Sequence, residues 1–134
     1  MITVIDTNIL LDVFLPDPRY SHNSASMLKD SYNKGDLVIC EIVYAELVPQ
    51  FGNKKLLDDT LAKINISLSN IDSDIAFLAG EKWSQYRKAG GKRSRIISDF
   101  LIGAHALKKA DIFLTRDRGF YSTYFPKLII SPSK

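Results

Sequence analysis

Directly after Met1 the chain reads Ile2-Thr3-Val4-Ile5-Asp6-Thr7-Asn8-Ile9-Leu10-Leu11-Asp12-Val13-Phe14, and how this stretch folds decides the architecture. Thr3-Val4-Ile5 reads as a short buried strand. Asn8 to Phe14 takes on a helical pattern, ended by Pro16-Asp17-Pro18. An apolar strand feeding a helix at once, with a carboxylate at the junction, is the start of an α/β domain rather than of a sandwich or a bundle.

The rest of the chain repeats that alternation. Ser21 to Lys34 fits a helix, with Ser21 as N-cap and Gly35 as its stop. Leu37 to Cys40 is a second strand, followed by a helix over Ile42 to Val48 that breaks near Pro49. Lys54 to Ile64 is amphipathic through Leu57, Leu61 and Ile64, and Ile66-Ser67-Leu68 is a short strand. Asp72 caps a long helix to about Ala89, which Gly90-Gly91 ends. A core helix from about Ser98 to Lys109, a strand Ile112-Phe113-Leu114 and a last strand Leu128-Ile129-Ile130 complete the series. Short apolar strands alternating with helices predict one α/β domain over residues 1–134 around a mostly parallel sheet.

Composition agrees and excludes several classes. The 46% apolar and 25% charged content is that of a globular chain able to bury a sizeable core. Cys40 is the one cysteine, so internal disulfides and cysteine-based zinc clusters are out, and a reducing, cytoplasmic setting is expected. No signal peptide and no membrane-length apolar run is visible. There is no Gly-x-Ser-x-Gly elbow or Gly-rich phosphate loop. His22 and His105 are the only histidines, and His105, within Gly103-Ala104-His105-Ala106-Leu107, reads as packed.

The net charge of +3 is mild but uneven. Lys82, Arg87, Lys88, Lys92, Arg93 and Arg95 crowd one window without an acid, with Trp83 and Tyr86 interleaved. Such a mixture suits a phosphate backbone with exposed bases, or else a solvated helix face.

Four carboxylates carry the chemistry. In open α/β sheets ligands bind outside the carboxyl ends of the strands. Asp6 directly follows the first strand, and Asp117 comes two residues after Thr115 at the end of Ile112-Phe113-Leu114-Thr115. Asp99 opens a helix beside its expected cap Ser98, and Glu46 sits in Glu41-Ile42-Val43-Tyr44-Ala45-Glu46-Leu47. Singly, each has a plain explanation: Asp6 and Asp99 as N-caps, Asp117 as a turn residue, Glu46 on an exposed helix face. Together, acids gathered at one edge raise one another's pKa, and a hard divalent cation relieves that cost. Mg²⁺ or Mn²⁺ held so commonly serves phosphoryl chemistry.

Val4 to Pro16 (VIDTNILLDVFLP), Tyr44 to Leu47 (YAEL), Ser98 to Leu107 (SDFLIGAHAL) and Leu114 to Tyr121 (LTRDRGFY) resemble the PIN domain, and within it the VapC-type toxins of type II toxin–antitoxin systems. The resemblance covers essentially the whole chain, with its motifs in order. It implies a three-layer α/β/α sandwich and a Mg²⁺- or Mn²⁺-dependent endoribonuclease that hydrolyses RNA phosphodiester bonds with metal-activated water. The implied catalytic acids are Asp6, Glu46, Asp99 and Asp117. Asp6 and Asp99 are the principal metal ligands, with Asp117 and Glu46 binding directly or through water. Asn8 and Thr115 would orient carboxylates and water by hydrogen bonds. A homodimer, a cognate antitoxin over the acidic pocket, and operator DNA bound only through that antitoxin also follow from the resemblance.

Arg93 and Arg95, just ahead of Asp99, are candidates for RNA phosphate contact. Arg116 and Arg118 would do the same or pair with neighbouring acids. Glu41 and Asp12 read as structural and surface residues, and Asp72 and Asp74 as a helix start. Two other readings remain at this level. Flap-type DNA nucleases share the acidic pocket but are normally larger. A receiver-like phosphorylation domain needs an acidic pair after the first strand, and Asp6 stands without an acidic neighbour.

Overall fold

A computed structural model of the chain describes residues 1–91 and 96–132. Strand β1, Ile2–Ile5, lies at the centre of a five-stranded sheet; Val4 and Ile5 are wholly buried, as a strand covered on both faces must be. Helix α1 (Thr7–Phe14) follows after the single residue Asp6, then α2 (Ser21–Lys34), β2 (Asp36–Ile39) and α3 (Glu41–Leu47) with a 3-10 turn at Val48–Gln50. Helix α4 (Lys54–Lys63), β3 (Ile66–Leu68), α5 (Ser73–Lys88), α6 (Ile97–Lys109), β4 (Ile112–Leu114), α7 (Arg118–Tyr124) and β5 (Ile130–Ser131) complete the order.

The sheet runs β3-β2-β1-β4-β5, and every pairing is parallel, from Ile2 opposite Asp36 to Phe113 opposite Ile130. Parallel neighbours need crossovers, and right-handed crossovers set α1, α2 and α4 on one face and α5, α6 and α7 on the other. The three-layer α/β/α expectation therefore holds.

The second helical layer is cemented by aromatic rings. Phe100 of α6 meets Phe120 and Tyr124 of α7 edge-on, and Tyr86 of α5 packs on Phe100 and Tyr124. Gly103 permits the close approach of α6 to the chain after α7, because a Cβ there would lie 2.4 Å from the Phe125 ring. A helix-interior glycine costs about 1 kcal/mol against alanine, and here it is required by packing.

Several expectations need correction. Ser21 is the first residue of α2, whose cap is Tyr20 with no side-chain capping bond, and α6 is capped by Ile96 rather than Ser98. Ile96 and Ile97 are exposed, and the buried part of α6 begins at Phe100. The last strand is Ile130–Ser131, with Ile129 facing solvent. Helix α7 lacks a sequence signal because Gly119, Ser122, Thr123 and three aromatic residues are modest helix formers; ring packing of Phe120, Tyr121 and Tyr124 holds it. Tyr86, interleaved in the basic window that suits exposed bases, is instead buried in that cluster.

Other expectations hold. Asp72 caps α5 by accepting from Ile75 N at 2.9 Å. Cys40 is buried, and burial pushes its thiol pKa up, away from reactivity. His105 is buried with Nε2 2.9 Å from Ser69 Oγ, and burial pushes its pKa down, keeping it neutral. Glu41 accepts from Ile71 N at 2.8 Å, a structural tether. Among the described residues no helix is long and apolar enough to cross a membrane.

Candidate active site

From β1 the chain steps to β2 on one side, and later returns to place β4 on the other. The carboxyl ends of β1 and β4 therefore flank the switch point where open α/β sheets leave a crevice. Asp6 leaves β1 there, its N–H still bonded to Leu114 O at 2.9 Å, and Thr115 leaves β4 beside it.

Asp6 is the N-cap of α1 and only 6% exposed. Its Oδ1 accepts from Thr7 N at 2.7 Å, and its Oδ2 from Thr115 Oγ1 at 2.7 Å and Asn8 Nδ2 at 3.3 Å. All three donors are neutral. Burial lifts its pKa from 3.8 to about 6; the bonds from Thr115 and Thr7 oppose the rise, and the negative fields of Glu46 and Asp117 add to it. Among the described residues, Asp6 thus has no cationic partner.

Thr115, wholly buried, is the hub. Besides donating to Asp6, its Oγ1 accepts from Asp117 N at 3.0 Å, which bends the chain so that Asp117 returns to the crevice. Asn8 clasps both sides: Nδ2 reaches Asp6 and, at 3.5 Å, Thr115 Oγ1, and Oδ1 accepts from Arg116 N at 3.2 Å. Glu46 hangs at the mouth from α3, exposed, with Oε1 accepting from Thr7 Oγ1 at 2.6 Å. Thr7 had no predicted role; its place directly after a capping aspartate was the available signal.

Asp99 is half-buried in the first turn of α6. The C-terminal end of α6 leads straight into β4 at the amino edge of the sheet, where Asp111 and Ile2 exchange bonds. Thirteen residues span about 20 Å, so the first turn lies back at the carboxyl edge. Among the described residues, no three His, Cys, Asp or Glu side chains close on one point tightly enough to hold a metal ion. Arg93 and Arg95 lie outside the described residues.

The largest departure from expectation is Asp12. Read as a surface residue, it is 3% exposed and paired in both oxygens with Arg116: Nε to Oδ2 at 2.7 Å and Nη2 to Oδ1 at 2.9 Å. Ser24 Oγ also donates to Oδ2 at 2.7 Å. The partner lies 104 positions away, beyond any local pattern. Arg118 donates to the carbonyls of Pro132 and Ile130. Arg116 is committed to Asp12 and Arg118 to the two carbonyls, so each buttresses the loops around Asp6 and Asp117.

The sequence profile of the PIN domain matches residues 3–126. The chain belongs to the PIN domain family. The matched span runs from within β1 to just past α7, and so takes in Asp6, Glu46, Asp99 and Asp117 alike. Among solved structures, this PIN domain is similar to chains of VapBC2 from Rickettsia felis bound to a promoter DNA fragment (22% identity, 97% of each chain, TM-score 0.69). It is also similar to VapBC-1 from nontypeable Haemophilus influenzae (19% identity, 97% of this chain and 96% of that one, TM-score 0.69) and to FitAcB from Neisseria gonorrhoeae (21% identity, 97% and 96%, TM-score 0.67). At such identities the likeness is one of fold. No curated protein matches by sequence.

Proposed function

We propose that this PIN domain, a single domain over residues 1–134, is the toxin-type endoribonuclease of a toxin–antitoxin pair, using Mg²⁺ or Mn²⁺ at the carboxyl edge of its sheet. One observation carries the reading. Asp6 is a buried carboxylate whose donors among the described residues are all neutral, pressed upon by Glu46 and Asp117 at the switch point. A buried oxygen donor whose partners among the described residues are all neutral fits a hard divalent cation. Asp6, Asp99 and Asp117 would hold it, with Glu46 at the mouth.

Such an ion, when bound, supplies the charge that activates a water and steadies the leaving oxygen. The protein's own part is positioning. Thr115 and Asn8 fix the Asp6 carboxylate, Thr115 Oγ1 turns Asp117 inward, and Thr7 aims Glu46. These neutral donors orient the acids without cancelling their charge. Arg93 and Arg95 remain the proposed contacts to RNA phosphate. The likeness to VapBC2 bound to a promoter DNA fragment, and to VapBC-1 and FitAcB, supports a cognate antitoxin. A homodimer, a cytoplasmic setting and operator DNA reached only through the antitoxin are proposed by family resemblance.

The test is direct. Purified protein is incubated with structured RNA and with single-stranded DNA, in Mg²⁺, in Mn²⁺ or in EDTA, beside an Asp99→Ala variant. RNA cut only with metal and only by the wild type is expected. Cleavage persisting in EDTA or in Asp99→Ala would overturn the mechanism, and activity confined to DNA would favour a flap-type nuclease instead.

A further inference from the structure

A second feature adjoins the acidic site. On the far side of Thr115 a groove of about 520 Å³ opens between α2 and the chain ends after β4 and β5, its walls including Tyr20, Asn23, Met27, Thr115, Arg116 and Arg118. Its volume falls in the roughly 300–1,000 Å³ range of ligand sites. Thr115 belongs to both places: it lines the groove and donates to Asp6 at 2.7 Å.

The two arginines of the groove are differently equipped. Arg116 has its charge compensated by the two-pronged pairing to buried Asp12, and its guanidinium carbon stands 3.9 Å from the centre of the Tyr20 ring. A neutralised, flat, clamped guanidinium on an aromatic ring is a weak anion site and a good stacking surface. Arg118 donates to the Ile130 and Pro132 carbonyls, and among the described residues no carboxylate neutralises it. Asn23 is exposed on α2 and offers both a donor and an acceptor.

We propose that this groove is a nucleotide subsite of the acidic site, in which one unstacked base of the RNA lies on the Arg116–Tyr20 stack while Arg118 meets its phosphate. The inference rests on the ribonuclease reading and adds to it a substrate class: RNA with an extruded or single-stranded base beside the cleaved bond. Asp12 is then a positioning residue that holds Arg116 flat on Tyr20.

The experiment measures binding without cleavage. Short single-stranded RNAs carrying 2-aminopurine at successive positions are titrated with the protein in EDTA. Wild type should quench one position most, and an abasic nucleotide there should weaken binding roughly tenfold. Tyr20→Ala should bind the base-bearing RNA as weakly as the abasic one, and Tyr20→Phe, which keeps the ring, should restore wild-type binding. Ser26→Trp, on the exposed rim of α2, should fill the groove and weaken binding as well, which decides the matter should Tyr20→Ala fail to fold. Equal affinity of wild type for base-bearing and abasic RNA overturns the subsite. So does wild-type binding by a folded Tyr20→Ala, or by Ser26→Trp. If those variants bind normally while the wild type cuts RNA with Mn²⁺, the subsite alone falls; if the wild type neither binds nor cuts RNA, the ribonuclease reading falls with it.

Discussion

Helix α1 presents two buried carboxylates, Asp6 at its cap and Asp12 one and a half turns on, and they are kept in opposite ways. Asp12 has a bidentate arginine and a serine hydroxyl. Asp6 has a backbone amide, a hydroxyl and a carboxamide, with two acids nearby. The first is a finished ion pair that ties α1 to the loop after β4. The second is unfinished, and its missing charge is what a cation would bring. Burial alone does not separate a structural acid from a functional one; the charge of its partners does.

The comparison is broken most severely at Arg116. Arg116→Ala leaves the buried Asp12 carboxylate without its cation; because the arginine itself is partly exposed, the loss should be about 2–3 kcal/mol, measured by urea unfolding. Asp6→Asn should do the reverse, stabilising the protein in EDTA at pH 7.5 by up to about 3 kcal/mol while abolishing cleavage. A comparable loss of stability in both variants would erase the distinction.

The pH dependence sharpens it. Folding raises the Asp6 pKa from 3.8 to about 6. Between those values the folded chain holds a proton that the unfolded chain has released, so stability falls as pH rises through the window, and the full cost is present above about 6. The advantage of Asp6→Asn should therefore shrink as pH falls from 7 to 4, read as the difference between the two unfolding curves. Smaller still, Thr115→Val removes a donor from Asp6 and should cost about 1–2 kcal/mol, with a steep loss of cleavage as Asp117 loses its turn. Thr7→Val frees the exposed Glu46 and should cost about 0.5 kcal/mol, its effect seen mainly in cleavage rate.

Most of this architecture was legible in the sequence because it is written locally. Val4 and Ile5 followed by an apolar helical repeat specify β1 and α1 without reference to distant residues, and Asp6 is placed by the strand that precedes it. Asp6 and Asp117 were legible as strand-end positions for the same reason, whereas Glu46 and Asp99 are carried by helices α3 and α6. What escaped was decided across the sheet. Asp12 depends on Arg116, and α7 depends on rings from α6, so neither shows in its own neighbourhood. The basic window was misjudged at Tyr86 because a ring among lysines looks exposed until α6 and α7 close over it.

The central claim is that Asp6 is kept short of positive charge for a divalent cation. Thermal unfolding of wild type and Asp6→Asn at pH 7.5, each with Mn²⁺ and with EDTA, tests it most directly. A rise in melting temperature with Mn²⁺ is expected for the wild type and none for Asp6→Asn, because a ligand stabilises only the folded state that binds it. An equal rise in both proteins, or none in either, would contradict the account.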